Sequence, residues 1–176
     1  CGSKTAIFII LPDEKVTYYS LASLFVNQLY ELIVNIADMR GGRLLRRVNF
    51  NLDEFGNFMA INAFATKLTV GGGRGVRFNL YVQSMAQLED KYGREVYPTI
   101  IGNCHVWVYL QADDPETQKL MSEKLGNYTV ASSSQSTQYS GSGISPGNMT
   151  ASTNLTGRPL LTPDEIGKIK RPYSLV

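Results

Sequence analysis

The stretch Val48-Asn-Phe-Asn-Leu-Asp53-Glu54 decides the fold, because it has the pattern of a strand that ends in two adjacent carboxylates. The expected strand covers residues 46–52. Open α/β sheets bind their ligands beyond the carboxyl ends of their parallel strands. The sequence therefore predicts a parallel sheet with Asp53 and Glu54 at its carboxyl edge.

A buried strand followed by Asp-Glu is the Walker B pattern of RecA-like ATPases. In that pattern Asp53 holds Mg²⁺, which neutralises charge on the β- and γ-phosphates, and Glu54 polarises the attacking water as general base. The alternative is that the two carboxylates only cap the turn after the strand. Asn49 and Asn51 make the strand less apolar than usual, so both interpretations stay open at this point.

Apolar residues on both sides of this stretch alternate between strand-like runs and helical spacing. The run 5–11 is continuously apolar, which favours a central strand of a parallel sheet. Apolar positions at helical spacing predict a long helix over 18–40, with Ser20 as its candidate cap and Gly41-Gly42 at its end. The expected elements after Glu54 are a helix at 60–68, a strand at 77–82, helices at 86–92 and 95–102, a strand at 104–110 and a helix over 115–125 capped by Asp114.

This alternation of strands and helices predicts a parallel α/β sheet with flanking helices. The composition changes between residues 131 and 156, which are mostly Ser, Thr, Gly, Asn and Gln and too polar to build a core. We interpret this stretch as a flexible excursion, and strands at 128–130 and 155–160 make a long β-hairpin compatible with it. Beyond it, Thr162-Pro-Asp-Glu165 predicts a short capped helix, and 173–176 predicts the start of a strand.

Two further polar residues are candidates for contact with a nucleotide. Gln83 follows the strand at 77–82, where an amide can reach a γ-phosphate or the attacking water; a surface amide at a turn is the alternative.

The glycine-rich stretch 71–75 does not match G-x-x-x-x-G-K-[ST], and it follows a helix, which is the wrong context for a phosphate-binding loop. It is expected to be a flexible turn that presents Arg74 to the nucleotide of a neighbouring subunit, as an arginine finger. A solvated turn is the alternative.

Composition and charge disfavour several classes of function. The formal net charge is only +2, which argues against a free-standing nucleic-acid binder held by a basic face. A local basic patch is still compatible with this low net charge, and its candidate residues are Arg43, Arg46 and Arg47. His105 and Cys104 lie in an apolar run without a second Cys or His cluster, which disfavours a metal site or a thiol nucleophile. No run approaches about 18 consecutive apolar residues, so no membrane span is expected.

Taken together, these stretches resemble the TraG/TraD/VirD4 family of type IV coupling proteins, especially its Gram-positive conjugation branch. The most specific match is Leu52-Asp-Glu-Phe-Gly-Asn57. The other matches cover most of the chain apart from the polar excursion, at residues 8–13, 47–57, 65–71, 83–88, 102–105, 114–117 and 157–165.

The resemblance implies a RecA-like (P-loop NTPase-type) parallel sheet, with residues 1–176 as the C-terminal portion of the motor domain and the Walker A half lying elsewhere. Such proteins are membrane-anchored hexameric ATPases that pass a relaxase-bound DNA strand to a secretion channel. The implied cofactors of the intact protein are ATP and Mg²⁺. The implied partners are single-stranded DNA, relaxase, secretion channel proteins and further copies in a homohexamer. The implied location is the cytoplasmic side of the bacterial cell membrane, with the anchor outside these residues.

By resemblance, Asp53 and Glu54 become the Walker B pair and Gln83 a nucleotide sensor, while Arg74 is the candidate finger. The family often carries an additional Arg beside its finger, which this glycine-rich stretch lacks. The fragment alone is expected to be inactive without the Lys and backbone amides of a Walker A loop. The rival interpretations are a non-enzymatic docking module for relaxase or accessory proteins and another translocase of the same superfamily. The oligomeric state of the fragment stays open, a monomer included.

Overall fold

The computed structural model describes residues 4–12, 15–137 and 149–176. The chain divides into two compact units, and each is described by itself. The first unit consists of the residues up to Trp107 together with Val176, and the second runs from Val108 to Leu175. The elements of the first unit are α1 (Val16–Asp38), β1 (Val48–Leu52), a 3-10 turn (Phe55–Asn57), α2 (Phe64–Arg74), β2 (Val76–Leu80) and α3 (Ala86–Gly102). Those of the second are α4 (Pro115–Leu125), β3 (Asn127–Thr137), β4 (Met149–Pro159) and α5 (Pro163–Gly167).

Helix α1 supplies one wall of the core of the first unit. Its buried positions recur every three or four residues, which is the stripe of a core-facing helix, and they are Tyr19, Ala22, Val26, Tyr30, Ile33 and Ala37. The predicted helix over 18–40 is confirmed, but Ser20 is not its cap, because the helix begins after Lys15. Residues 17–38 are also long and apolar enough to cross a membrane by length and composition alone, a property that core helices share.

Strands β1 and β2 form a two-stranded parallel sheet, in which Val48 pairs with Val76 and Leu52 with Leu80. Helix α2 is the crossover that connects them, since parallel strands cannot be joined by a tight turn. One face of the sheet is packed into the core, and the other carries exposed polar side chains, namely Asn49, Asn51, Arg77 and Asn79. The predicted parallel α/β class is confirmed, although β1 is buried on one face rather than on both.

Aromatic rings fill the core beneath the sheet. Phe55 and Phe64 are 0% and 1% exposed, and their ring centroids lie 5.0 Å apart. The rings of Phe50 in β1 and Phe78 in β2 stack at 4.9 Å. Helix α3 closes the core, and Gly93 (φ 77°) breaks it between the two predicted helices. Because Phe55 directly follows Glu54, the backbone beside the candidate carboxylates is anchored in the core.

Helix α2 runs through three consecutive glycines that the sequence predicted to lie in a flexible turn. The helix predicted at 60–68 is present with other bounds, since it begins at Phe64, and the turn expected at 71–75 was wrong, because the helix includes Arg74. Packing overrides the low helix propensity of glycine here. Gly71 is buried, and a Cβ at this position would lie 3.6 Å from the ring of Tyr30 and from Val76. The helix ends at Arg74, and the next residue is Gly75, whose φ of 88° glycine adopts readily.

Two apolar runs that predicted strands do not form them. Residues 5–11 are irregular, and Phe8 and Ile10 are 88% and 92% exposed. Residues 104–110 contribute a single antiparallel bridge, between Tyr109 and Leu175. The strand expected to begin at 173–176 is likewise reduced to this one bridge. A strand needs a neighbour for its backbone groups. Within residues 4–12, 15–137 and 149–176, neither run has such a neighbour beyond that one bridge.

The helices of the second unit begin where the sequence predicted. Asp114 caps α4, because its Oδ2 accepts a hydrogen bond of 3.0 Å from the Thr117 N–H. Thr162 and Glu165 exchange the two hydrogen bonds of a capping box at the start of α5. These caps are confirmed because the interactions that define them are local in sequence.

Strands β3 and β4 form an antiparallel ladder that runs from the pair Asn127–Pro159 to the pair Thr137–Met149. The hairpin is therefore longer than the expected strands at 128–130 and 155–160. Tyr128 and Leu155 are 40% and 74% exposed, so the ladder rather than side-chain burial organises it. Residues 138–148 of the predicted excursion at 131–156 lie outside the described residues, and the flexibility of the excursion stays a prediction.

Candidate functional site

Asp53 and Glu54 lie at the carboxyl edge of the parallel sheet, directly after the last residue of β1. Both strands end there in register, because Leu52 pairs with Leu80. Backbone hydrogen bonds hold the chain across this edge: the Tyr81 N–H donates to the Leu52 carbonyl over 3.1 Å, and the Phe55 N–H donates to the Tyr81 carbonyl over 2.9 Å. This is the edge where groups that follow parallel strands form ligand sites.

The backbone of Glu54 is left-handed, with φ 48° and ψ 40°. This conformation is uncommon outside glycine and costs on the order of 1 kcal/mol. Two features hold it: the burial of Phe55, and the short turn in which the Asn57 N–H donates to the Glu54 carbonyl over 2.8 Å. The chain consequently turns away from the strand direction at Glu54.

The side chain of Glu54 is half-buried and held by two donors. Its Oε2 accepts a hydrogen bond from the Tyr19 hydroxyl over 3.2 Å and another from Asn57 Nδ2 over 3.1 Å. Asp53 is exposed, and its Oδ1 accepts from the Glu54 N–H over 3.0 Å. The two neighbouring carboxylates therefore differ: Glu54 is oriented by α1 and by its own turn, and Asp53 faces solvent.

Helix α3 secures the same turn through Lys91. The Lys91 ammonium donates to the backbone carbonyls of Gly56 and Phe58, which flank the end of the turn. Burial lowers the pKa of Lys91. Hydrogen bonds from a charged donor are the stronger kind, so this contact fixes the turn that carries Glu54.

Gln83 and Arg74 lie at opposite edges of the sheet. Gln83 is exposed and is the third residue after β2, which brings it to the carboxyl edge with Asp53 and Glu54. Arg74 ends α2 at the amino edge, where its guanidinium pairs with Asp38. Strands of five residues rise about 3.3 Å per residue, which separates the two edges by roughly 15 Å. The structure thus brings Gln83, but not Arg74, to the edge that holds the carboxylates.

The acidic residues at the carboxyl edge fit magnesium bound together with a phosphate ligand. Within the described parts of the chain, no group of three or more His, Cys, Asp or Glu side chains is placed to hold a metal ion. Mg²⁺ is often bound by one or two carboxylates, with waters and substrate phosphates completing its octahedron. The exposed carboxylate of Asp53 supplies the oxygen ligand that this mode needs. The arrangement therefore suits a nucleotide-borne ion rather than a closed metal centre.

Sequence reasoning missed three residues that hold Glu54 or its turn, namely Tyr19, Asn57 and Lys91. Asn57 lies within the matched stretch 52–57, and its position three residues after Glu54 was a usable signal. Tyr19 is 35 residues away from Glu54, and Lys91 is 35 residues away from Gly56. Contacts of this range depend on tertiary packing, and no local pattern points to them.

Comparison with known proteins gives consistent matches. The model of a family described as the TraM recognition site of TraD and TraG matches residues 47–171. The conjugal transfer protein TraG of Escherichia coli is 27% identical over 175 residues, which are 95% of this chain and 27% of that protein. Protein VirD4 of Rhizobium rhizogenes is 31% identical over 119 residues, which are 68% of this chain and 17% of that protein. The chain thus spans 27% or less of the length of these two relatives.

Solved structures agree on the fold. The plasmid coupling protein TrwB in complex with the ATP analogue ADPNP matches with a TM-score of 0.64 and 22% identity, over 88% of this chain and 32% of that one. An unbound form of TrwB matches with a TM-score of 0.57 and 25% identity, over 74% of this chain and 28% of that one. The predicted RecA-like α/β class is confirmed, whereas the Gram-positive branch stays a prediction. Since the family model covers residues 47–171, the chain belongs to the TraG/TraD family of conjugative coupling proteins.

Proposed function

We propose that this chain is the part of a conjugative coupling ATPase that supplies the Walker B and sensor groups of its nucleotide site. The observation that carries the proposal is the oriented carboxylate of Glu54, which lies beside the exposed Asp53 at the carboxyl edge of a parallel sheet. TrwB, which has a similar fold, has been solved in complex with ADP and Mg²⁺ and with ADPNP. The sequence contains no G-x-x-x-x-G-K-[ST], so the Walker A loop of the site belongs to another part of the parent protein.

The proposed reaction is hydrolysis of ATP by an oriented water. The water oxygen forms a bond to the γ-phosphorus while Glu54 accepts its proton, and the bond to the β-phosphate oxygen breaks to give ADP and phosphate. Tyr19 and Asn57 hold the Glu54 carboxylate in place before the reaction, so little reorganisation is needed. Asp53 supplies an oxygen ligand for Mg²⁺, which neutralises phosphate charge.

Gln83 and Arg74 take different roles in this proposal. Gln83 is at the same edge as Glu54, so its exposed amide contacts the γ-phosphate or the attacking water. Arg74 is at the opposite edge and acts on the nucleotide of a neighbouring copy, as arginine fingers supplied in trans do. That role requires a neighbouring copy, which the proposed homohexamer supplies, and it requires Arg74 to leave its ion pair with Asp38 for a phosphate.

Hydrolysis in the intact protein is coupled to movement of single-stranded DNA into a type IV secretion channel. The partners are relaxase and channel proteins, and the motor lies on the cytoplasmic side of the membrane. The matched relatives support this setting, because they carry names such as conjugal transfer protein TraG and type IV secretion system-coupling protein VirD4. Those names also favour a coupling protein over another translocase of the superfamily.

A non-enzymatic docking module is the second candidate. The description of the matching family, the TraM recognition site of TraD and TraG, favours it. The exposed polar hairpin of β3 and β4 offers a surface for such a contact. The two functions differ in their dependence on Glu54, because docking does not require the carboxylate.

The replacement Glu54→Gln in the intact parent protein tests the ATPase. The amide keeps the size of the side chain but cannot accept the proton, so turnover should fall by about 10² or more while nucleotide affinity changes only a few-fold. As the matched variant, Asp53→Asn should instead weaken binding of Mg²⁺-nucleotide. Unchanged turnover in Glu54→Gln contradicts the proposed ATPase function, and docking then remains as the candidate function. Mg²⁺-dependent turnover by this 176-residue chain alone contradicts the placement of the phosphate-binding loop elsewhere.

A further inference from the structure

A cavity of about 350 Å³ lies at the amino edge of the sheet, on the side away from Asp53 and Glu54. Three arginines line it: Arg43 and Arg47 from the segment that leads into β1, and Arg77 from β2. Gly72 and Gly75, at the end of α2, form part of the wall, and their lack of side chains keeps the backbone accessible. Leu44 and Leu45 complete the wall, so the guanidinium groups and the accessible backbone supply its polar part.

In the part of the chain that the structure describes, no carboxylate neutralises the charges of these arginines. All three are exposed, and across residues 4–12, 15–137 and 149–176 no ion pair or side-chain hydrogen bond involves them. Arg74 differs, because it pairs with Asp38. The chain has 17 basic and 15 acidic residues, yet residues 38–47 and 74–77 contain six arginines and a single aspartate. Positive charge is thus concentrated at this edge, whereas the rest of the chain is net negative.

This chemistry suits a phosphate ligand. A guanidinium presents a planar fork of donors that matches phosphate oxygens, and it stays charged at any physiological pH. Three such groups around one cavity repel one another unless an anion lies between them. Whether the ligand is a compact phosphate compound or a longer chain of phosphates therefore depends on the surface next to the cavity.

Polar side chains extend the surface along the sheet. Arg77 pairs in register with Asn49, and on the same exposed face Asn79 Nδ2 donates to Asn51 Oδ1 over 2.7 Å. The surface is therefore an elongated tract of guanidinium and amide groups that follows the strands. A compact triphosphate would occupy the cavity and leave this tract unused, whereas a chain of phosphodiesters would follow it. None of the described residues that line the cavity is aromatic, so the recognition proposed there does not include stacking on bases.

We infer that Arg43, Arg47 and Arg77 form a binding site for the phosphodiester backbone of a single nucleic-acid strand, without preference for sequence. Contacts to phosphates carry no direct sequence information, and their strength depends on salt. The site deepens the proposed function, because it gives the translocated strand a place on this chain. It also agrees with a net charge too low for a strong free-standing binder, since only one edge is basic.

Binding of a labelled oligothymidine strand to the full chain, followed by fluorescence anisotropy without nucleotide or Mg²⁺, tests the site. The triple replacement Arg43→Ala, Arg47→Ala, Arg77→Ala should weaken binding at least about tenfold at low salt. It should also reduce the slope of log affinity against log salt by about 2, the value for three lost contacts to a single strand. The matched control Arg94→Ala, Lys119→Ala, Lys170→Ala removes the same charge from exposed sites elsewhere and should change both quantities little.

Gly72→Glu is a second variant that does not depend on the arginine replacements. A Cβ at Gly72 meets no atom within 4 Å, so the variant should fold, and its carboxylate should reduce binding by placing negative charge at the cavity. Thermal unfolding checks that each variant is folded. Equal loss in the triple variant and its control contradicts the inference, and so does full binding by Gly72→Glu.

Two further measurements distinguish a nucleotide from a nucleic-acid strand as the ligand, and they separate this inference from the proposed ATPase function. If ATP or tripolyphosphate binds to the cavity and the triple variant loses only that binding, the ligand is a nucleotide and the inference is wrong. Glu54→Gln should bind the oligothymidine strand as the unmodified chain does. A normal ATP turnover in the intact Glu54→Gln protein would therefore contradict the proposed role of Glu54 in hydrolysis. It would not affect the inference of a strand-binding site.

Discussion

The parallel sheet of the first unit and the hairpin of the second are stabilised by different forces. Strands β1 and β2 have five residues each and are positioned by buried rings such as those of Phe50 and Phe78. Strands β3 and β4 have 11 residues each, yet Leu155 and Tyr128 are exposed, and the ladder itself holds them. A short sheet on a packed core fixes the groups at its edge, whereas a long exposed ladder tolerates changes of side chain.

The largest effect should come from removing a core ring. Phe64 is 1% exposed, and its ring lies 5.0 Å from that of Phe55 and 5.2 Å from that of Phe78. Phe64→Ala should lower the free energy of unfolding of the first unit by about 3–5 kcal/mol, because a cavity replaces the ring. Urea unfolding monitored by circular dichroism measures this. A loss below about 1 kcal/mol would mean that the core does not hold the sheet.

A smaller effect is expected at the cap of α4, where the contact is local. Asp114→Ala removes the acceptor of the Thr117 N–H and should cost about 1 kcal/mol. The hydrogen bonds from Thr117 lower the pKa of Asp114. The native carboxylate therefore contributes stability above its unfolded pKa of about 3.9, and this contribution is lost as the pH falls through the lower folded value.

Unfolding of the Asp114→Ala variant and of the unmodified chain, measured from neutral pH downwards, checks the sign of this effect. The difference between them should shrink below about pH 4. A difference that stays constant or grows on acidification would show that the carboxylate charge does not contribute to the cap.

The smallest effect should come from the hairpin. Leu155 is 74% exposed, so Leu155→Ser should change the free energy of unfolding by no more than about 0.5 kcal/mol. The same replacement at Leu88, which is 3% exposed in the first unit, should cost several times more because it puts a hydroxyl into the core. Similar losses at the two leucines in urea unfolding would show that the hairpin has a packed face after all.

Local patterns predicted the parts of the fold that depend on neighbouring residues. The stripe of α1, the two parallel strands and the cap at Asp114 all follow from spacing or from contacts within a few positions. The pair Asp53-Glu54 was placed at the carboxyl edge for the same reason, since it directly follows β1. The catalytic role of the pair stays a proposal, because the arrangement shows where the carboxylates lie rather than what they do.

The misses share a dependence on distant partners. Residues 5–11 have the composition of a strand, but composition cannot supply the neighbouring strand that pairing requires. Residues 71–73 have the composition of a turn, but packing of Gly71 against Tyr30 and Val76 keeps them helical. The hydrogen bond from Tyr19 to Glu54 joins α1 to the candidate site, and it becomes visible only when the fold is known.

The glycines at the end of α2 make one turn of this helix easier to open than the others. Each glycine in a helix costs roughly 1 kcal/mol relative to alanine, and Gly71, Gly72 and Gly73 are consecutive. Local opening requires less free energy where helix propensity is low and backbone groups are exposed. The amide hydrogens of this last turn should therefore exchange with solvent faster than those of residues 68–70 in the middle of the helix. We therefore expect Arg74, which follows the three glycines directly, to lie on the part of α2 that opens first.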